Sequence, residues 1–322
     1  MGTTMRRVWL TLQAAVAPAV WGSTYVVTTK LLPPDRPLLD GMLRALPAGL
    51  LLLAIARLVT GSWSAVLPRG SWWWRALVLG TLNIGAFFAL LFLAAYRLPG
   101  GVAAIVISLQ PLVVAALAVA LLGQRLPVRR VLAGIAGVFG VALVALTANG
   151  ALDPVGLAAG VGAAASMSLG VVLTQRWGRP ASLLAFSGWQ LTAGGLVLAP
   201  LALIIEGVPA SLSAGNLAGY AYLSLIGAAL TYVLWFRGIS QLSAPVASFL
   251  GLLSPLVAAV LGVVVLAQGF TAWQSLGFVI TLASVVAGTL VASGRPNARS
   301  RQAAPASSSA ASSTSVADPA RC

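Results

Sequence analysis

From Leu98 to Gln124 the chain reads LPGGVAAIVISLQPLVVAALAVALLGQ, 27 residues without one charged side chain. At about 1.5 Å of rise per residue, a helix of this length crosses the roughly 30 Å hydrocarbon core of a bilayer. Inside hydrocarbon the backbone must satisfy its own hydrogen bonds, which leaves a helix or a closed barrel as the options. Similar runs recur along nearly the whole chain, so that 59% of residues are hydrophobic and 7% are charged. A soluble domain averages roughly 45–50% apolar and about 25% charged residues, and 322 residues of this composition could not hide their apolar surface from water. The chain is predicted to be an all-α, polytopic membrane protein.

The same stretch occurs twice. Its echo is Leu242–Gln268, and an offset of 144 residues lays Pro111 on Pro255, Leu112 on Leu256, Ala115 on Ala259 and Gln124 on Gln268. Ten spans are predicted, at about Val8–Leu32, Leu38–Val59, Trp74–Ala95, Gly100–Leu122, Val131–Ala148, Val155–Thr174, Leu183–Ile205, Leu217–Phe236, Ala244–Leu266 and Ala272–Ala292. The gaps between them are short and several hold Pro, Gly or Asp, which makes successive helices antiparallel neighbours. Five spans per half is an odd number, so the second repeat enters the membrane from the opposite side to the first. Inverted repeats of this kind mark many transporters, with the substrate site where the repeats meet. The expected division is a first repeat over 1–148, a second over 149–293 and a disordered cytoplasmic tail over 294–322, where RPNARSRQAAPASSSAASSTSVADPARC is too small and polar to build a core.

The net charge of +14 and a pI near 11.7 would suit nucleic acid if the basic residues shared a face. They lie in the gaps between apolar runs instead, which is a signal of topology. With the N-terminus cytoplasmic, 15 of the 19 basic residues fall on the inner side. Lys30, Arg36 and Arg97 fall outside, and Arg44 lies within a span. Both termini are therefore expected in the cytoplasm of a protein that crosses the cell membrane many times, with the first span retained and not cleaved as a signal peptide. The partners expected are the lipid bilayer and a small-molecule substrate, with no nucleic acid.

Cys322 is the single cysteine and histidine is absent. An intrachain disulfide, the usual zinc sites and histidine-based proton transfer are excluded, and no metal and no cofactor is expected. With no nucleophile–base pair in sight, an intramembrane enzyme finds no support. A channel would need selecting rings of charge, which are missing.

Polar and aromatic residues within the spans are the candidates for function, since polar groups in hydrocarbon either join helices or serve a site. Asp40 and Arg44, four apart in the second span, share a helical face and are placed to form an ion pair. Arg44 is then either a cavity residue that meets a carboxylate substrate or half of a structural pair, and Asp40 is the candidate for proton coupling. Trp21 and Tyr25 share a face of the first span, and Asn83 and Phe87 share one of the third. Gln110 precedes Pro111, and Ser254 precedes Pro255. Each proline is expected to kink its helix and to serve as a gating point. Trp189 and Gln190 lie in the seventh span, and Tyr232 and Trp235 in the eighth. Together Trp21, Tyr25, Arg44, Asn83, Gln110, Trp189, Gln190, Tyr232 and Trp235 form the expected substrate-binding set, suited to an amphipathic solute. Gly134, Gly137, Gly140, Gly277, Ala283 and Gly288 read as packing positions at a bundle edge or in a homodimer contact.

Trp21-Gly22-Ser23-Thr24-Tyr25, Arg44, Pro111-Leu112, the run Tyr232 to Arg237 and Ser254-Pro255-Leu256, in this order over residues 9 to 292, resemble the drug/metabolite transporter superfamily in its EamA-like ten-helix branch. The resemblance implies a carrier, often an exporter of amino acids or related metabolites, with helices of both halves around a central cavity. Members often show an acidic residue after the glycine that ends the fourth and ninth spans. Here Gln124 and Gln268 stand there, so no carboxylate role is carried to those positions. The expected function is export of amino acids or similar small amphipathic metabolites by alternating access. A facilitator, a drug or nucleobase carrier of the same fold, and a membrane bundle without transport activity are the alternatives.

Overall fold

Pro37 opens a 24-residue helix, α3 (Pro37–Thr60), at a position where its missing N–H costs nothing, and Gly61 closes it with a left-handed φ of 72°. The same punctuation sets most of the other boundaries. Asp153 accepts the backbone N–H groups of Val155 and Gly156, Ser182 accepts that of Ala185, and Ser213 and Asn216 cap each other reciprocally. The computed structural model describes residues 3–123, 128–146, 153–234, 253–267 and 269–290. Gln124, Trp235, Gln268, the start of the predicted ninth span and the tail lie outside the described residues.

Before α3 come α1 (Thr3–Gly22) and α2 (Thr24–Leu31), and after it the short α4 (Trp63–Val66). Next is α5 (Trp72–Gly80), which passes through a π-helical turn, Thr81–Ala86, into α6 (Phe87–Arg97). There follow α7 (Gly100–Ile107), α8 (Gln110–Leu122), α9 (Val128–Leu146), α10 (Pro154–Trp177) and α11 (Leu183–Leu201), which ends in a π turn at Ala202–Glu206. α12 (Ala214–Ala221) runs into a longer π turn, Tyr222–Leu230, and α13 (Leu253–Leu266) and α14 (Ala272–Leu290) complete the chain. All regular structure among the described residues is helical. Among the described residues, six helices are long and apolar enough to cross a membrane: Pro37–Thr60, Trp72–Arg97, Gly100–Leu122, Pro154–Trp177, Leu183–Glu206 and Ala214–Leu234. Large apolar side chains such as Leu58, Ile204, Val264 and Trp273 are exposed, as a surface meant for lipid requires.

Two of the predicted spans are interrupted, the first at a place not predicted from the sequence. α1 stops at Gly22 and α2 resumes after Ser23, while α7 stops at Ile107 and α8 resumes at Gln110 with proline in its first turn. The kink expected at Pro111 is thus an interruption two residues upstream, because proline has no N–H to give the Ile107 carbonyl four residues back and its ring crowds that oxygen. The corresponding approach to Pro255 lies outside the described residues.

The bundle is held by backbone contacts at small residues. α3 and α11 run antiparallel, with Gly195 against Leu46, Gly49 against Leu191 and Thr192, and Gly188 against Leu53. A Cβ at Gly49 would stand 2.5 Å from the Thr192 nitrogen. α9 and α14 pair in the same manner, where a Cβ at Gly137 would meet Ser284 and one at Gly140 would meet Thr281 and the Gly277 carbonyl. The packing role read for Gly137, Gly140 and Gly277 therefore holds, whereas Gly134 faces open space. The main core gathers around α3, α6 and the π turn after α12, with Phe88, Phe92, Leu52, Leu191 and Leu223 fully buried.

Candidate functional site

The break between α1 and α2 carries the segment Trp21 to Tyr25, and every residue of it touches a different neighbour. The Trp21 indole N–H lies 3.2 Å from the Gly227 carbonyl oxygen and 3.0 Å from Thr231 Oγ1. Gly22 lies so close to α13 that a Cβ there would stand 2.6 Å from the Ser254 oxygen. Ser23 Oγ pairs with the Tyr222 hydroxyl at 2.7 Å, Thr24 Oγ1 accepts from Arg44 at 3.2 Å, and Tyr25 is buried beneath Gly100. Only small or hydrogen-bonding side chains fit in so tight a crossing.

Arg44 lies at the centre of this region, seven residues into α3 and so about 10 Å along its axis. It is 4% exposed. Its Nη1 donates to Thr24 Oγ1 and its Nη2 to the Gly227 carbonyl, each at 3.2 Å. The guanidinium carbon sits 4.6 Å above the Phe88 ring and 6.0 Å from that of Phe92, a placement that favours a cation. The phenols of Tyr25, Tyr222 and Tyr232 lie within electrostatic range, while Arg44 Nε is buried without a hydrogen-bond partner. The π turn at Tyr222–Leu230 frees the Gly227 carbonyl from a regular ladder. This one oxygen receives Trp21 Nε1, Arg44 Nη2 and, at 3.0 Å, Thr231 Oγ1, a use typical of such turns. Tyr232 closes the cluster with its ring 6.0 Å from that of Trp21.

The expected pair between Asp40 and Arg44 does not form. The Asp40 carboxyl is taken on one oxygen by the Tyr220 hydroxyl at 2.8 Å and on the other by the Tyr96 hydroxyl. Phenols from α12 and α6 thus reach Asp40 near the start of α3, whereas the π turn draws Arg44 toward Gly227. Among the described residues the one ion pair is Arg97–Asp153, at 2.9 Å and partly exposed. Arg44 therefore holds a buried positive charge with no carboxylate of the described residues against it.

Of the other candidates, Asn83 lies in the π turn between α5 and α6 and donates to Gln190 Oε1 at 2.6 Å. The Asn83 carbonyl oxygen is buried and unpartnered, facing Gly170, where a Cβ would stand 2.0 Å away. These two amides form a second polar pair, about a turn and a half from Phe88. Trp189 turns away from both groups. Its indole donates to the Val66 carbonyl at 2.6 Å, and its ring packs with Phe186 and Trp72 toward the C-terminal end of α3. Gln110 is half-buried at the first turn of α8, where its carbonyl accepts from Ser168, and Pro255 is buried within α13. Sequence reasoning passed over Phe88, Tyr222, Gly227 and Thr231. The spacing Gly227–Thr231 was the available signal, since a glycine and a hydroxyl four apart in a span expose one carbonyl and reinforce it.

The sequence pattern of the EamA-like transporter family matches this chain twice, over residues 8–146 and 154–289. Protein PecM of Dickeya dadantii (strain 3937) is 46% identical over 275 residues, covering 85% of this chain and 90% of that protein. The WAT1-related protein At3g02690, chloroplastic, of Arabidopsis thaliana is 28% identical over 277 residues, covering 82% of this chain and 66% of that protein. A solved crystal structure superposes with a TM-score of 0.63 at 20% identity, covering 88% of this chain and 98% of that one, a likeness of fold alone. With two family matches that between them take in both helix breaks, the Arg44 cluster and all three π turns, this multi-pass membrane protein belongs to the EamA-like transporter family.

Proposed function

We propose that the chain is an exporter of amino acids or similar small amphipathic metabolites, and that Arg44 receives the cargo's anionic group. The observation that carries this reading is the buried guanidinium with a free Nε and no carboxylate partner among the described residues. A charge at such depth costs roughly 2.5–3.5 kcal/mol on insertion scales, and a structural role alone would be served by a neutral donor. A carboxylate arriving with the cargo would neutralise it through charge-assisted hydrogen bonds. Trp21, Tyr25, Phe88 and Tyr232 supply aromatic surface for an apolar body, and the Asn83–Gln190 pair supplies amide groups farther along.

The architecture that serves this function is ten spans arranged as two inverted repeats, 1–148 and 149–293, which open alternately to the two sides. Three features support it: the 144-residue offset in the sequence, the antiparallel contact of α3 with α11, and that of α9 with α14. Arg44 is held by α2, α3, α6 and the π turn after α12, so it stands where elements of both repeats meet, as in carriers that bind cargo between repeats. The interruptions at Ser23 and at Ser108–Leu109 are the places where backbone rearrangement needs the fewest broken hydrogen bonds. Counterflow in proteoliposomes tests the reading: vesicles loaded with unlabelled amino acids, nucleobases or cationic drugs in turn are followed for labelled uptake. Saturable exchange of amino acids that is lost in Arg44→Ala supports it. Exchange of cationic drugs unaffected by Arg44→Ala overturns it.

A further inference from the structure

Asp40 forms a polar cluster apart from the Arg44 site. Three oxygen–oxygen contacts meet there: Tyr220 Oη with Asp40 Oδ1 at 2.8 Å, Tyr96 Oη with Asp40 Oδ2, and Tyr96 Oη with the Pro33 carbonyl at 2.7 Å. Asp40 is fully buried. The Pro33 carbonyl can only accept, and each phenol has one hydrogen to give. If Asp40 is ionised, two hydrogens must serve three contacts, and one pair of oxygens is left with lone pair against lone pair. If Asp40 is protonated, each contact has its hydrogen: Tyr220 donates to Oδ1, Oδ2–H donates to Tyr96 Oη, and Tyr96 donates to Pro33. Unmade hydrogen bonds at buried oxygens are costly, so a carboxylic acid meets all three contacts where a carboxylate leaves Tyr96 to share one hydrogen between two acceptors.

We propose that Asp40 is an exchangeable proton site and that its occupancy switches the Tyr96 hydroxyl between two acceptors. On release, Asp40–COOH becomes Asp40–COO⁻ and a proton passes to water. Tyr96 then turns its hydrogen from the Pro33 carbonyl to Oδ2. The loop between α2 and α3 thereby loses its tie to α6 while the carboxylate keeps two phenol donors. The groups that face Asp40 are Tyr96 on α6, Tyr220 on α12, Glu206 at the end of the π turn after α11, and Arg36 just before α3. Glu206 caps the Leu38 and Leu39 N–H groups, and Arg36 binds the Glu206 and Gly207 carbonyls. Asp35 lies in the same loop, and Arg44 lies one turn onward but is bonded elsewhere. No cation is bonded to the carboxyl among the described residues, so proton loss leaves a buried negative charge that the surrounding helices must accommodate by moving or by admitting water. That makes the site suited to coupling a proton to the transport cycle, a step that rests on the transport reading above; the proton site itself does not.

Infrared spectroscopy of the protein in lipid nanodiscs, titrated with pH, tests the site without any cargo. The chain has five acidic residues, so the difference between wild type and Asp40→Asn isolates one carboxyl. Asparagine can donate to Tyr96 and accept from Tyr220, so the variant keeps the cluster's shape. The expected result is a titrating carboxylic C=O band present in wild type and missing in Asp40→Asn, which moves to higher frequency in Tyr96→Phe, where the acid loses its acceptor. Identical spectra for wild type and Asp40→Asn across the titration, or an unmoved band in Tyr96→Phe, overturn the assignment. For coupling, counterflow of a labelled amino-acid mixture is repeated under an imposed pH gradient. One-to-one exchange lets each pH unit sustain up to about tenfold accumulation. This response is expected in wild type and absent in Asp40→Asn, which retains gradient-independent exchange. A gradient response that persists in Asp40→Asn overturns the coupling.

Discussion

Replacing Arg44 by methionine should leave the protein as stable as wild type while abolishing most of its affinity for cargo. The opposing contributions to stability nearly cancel. Removing the guanidinium relieves about 2.5–3.5 kcal/mol of burial cost. It forfeits two hydrogen bonds to neutral acceptors, at about 0.5–1.5 kcal/mol each, and a desolvated contact with Phe88 worth up to about 2 kcal/mol. Of the two acceptors, the Gly227 carbonyl keeps Trp21 Nε1 and Thr231 Oγ1 as donors, buried Thr24 Oγ1 loses the donor it had at about 1–3 kcal/mol in place of one of those bonds, and methionine fills much of the space beside Phe88 and Phe92. A charge-assisted bond from Arg44 to a cargo carboxylate would contribute about 1.5–3 kcal/mol, so its loss should raise the half-saturation concentration about ten- to a hundredfold. Thermal unfolding in detergent reads the first quantity and counterflow the second. A variant that melts far below wild type, yet in its folded fraction exchanges cargo with unchanged half-saturation, would refute the reasoning, because Arg44 would then be a structural brace.

Three further outcomes follow from particular contacts. Gly49→Ala drives a methyl group against the Thr192 backbone, which must part α3 from α11; a loss of about 1–3 kcal/mol is expected, measured by thermal unfolding. Trp189→Phe deletes the 2.6 Å bond to the Val66 carbonyl and should cost about 1–3 kcal/mol for the acceptor left unpaired, with no change in half-saturation for cargo in counterflow. The Arg97 guanidinium, hydrogen-bonded to Asp153, holds that exposed carboxyl below its usual range. The stability it contributes is therefore present above the ordinary aspartate value and fades as pH falls through the lowered one. Arg97→Gln should reduce that acid dependence to the part held by the Val155 and Gly156 N–H groups, and high salt should weaken the Arg97 part in wild type, as read by melting curves across acidic pH.

The length and apolarity of the runs made the helices legible, and the repeat offset made the duplication legible, because both are one-dimensional properties of a chain in lipid. The segment Trp21 to Tyr25 stood out for a related reason: glycine, serine and threonine beside aromatics in mid-span have few purely packing explanations. What the sequence could not supply was the direction of each side chain around its helix. Asp40 and Arg44 share a face by spacing, yet their partners come from helices far away in sequence, at Tyr220 and Gly227. The π turns add to this, since one extra residue in a turn rotates everything after it by about 100° relative to a regular helix. The Gly227 carbonyl, which lies in such a turn, is turned to Trp21 and Arg44 together, while Trp189 and Gln190, about 100° apart on the regular α11, end in unrelated clusters.

The separation of Arg44 from Asp40 changes what the second span can do. A closed ion pair would be a neutral brace, expensive to open and indifferent to pH near neutrality. As two sites on one helix, about 6 Å apart along its axis, each is connected to a different part of the second half: Arg44 to the π turn at Gly227, and Asp40 to α12 through Tyr220. In the transport cycle proposed above, cargo at Arg44 and a proton at Asp40 would then act on the same rigid unit, because α3 is locked to α11 by the glycine contacts at Gly49, Gly188 and Gly195. A shift of that unit would be felt at both ends of the Trp21–Tyr25 segment, through Thr24 on one side and through the shared Gly227 carbonyl on the other. The two sites need no chain of intermediates to communicate; they are carried on the same pair of helices.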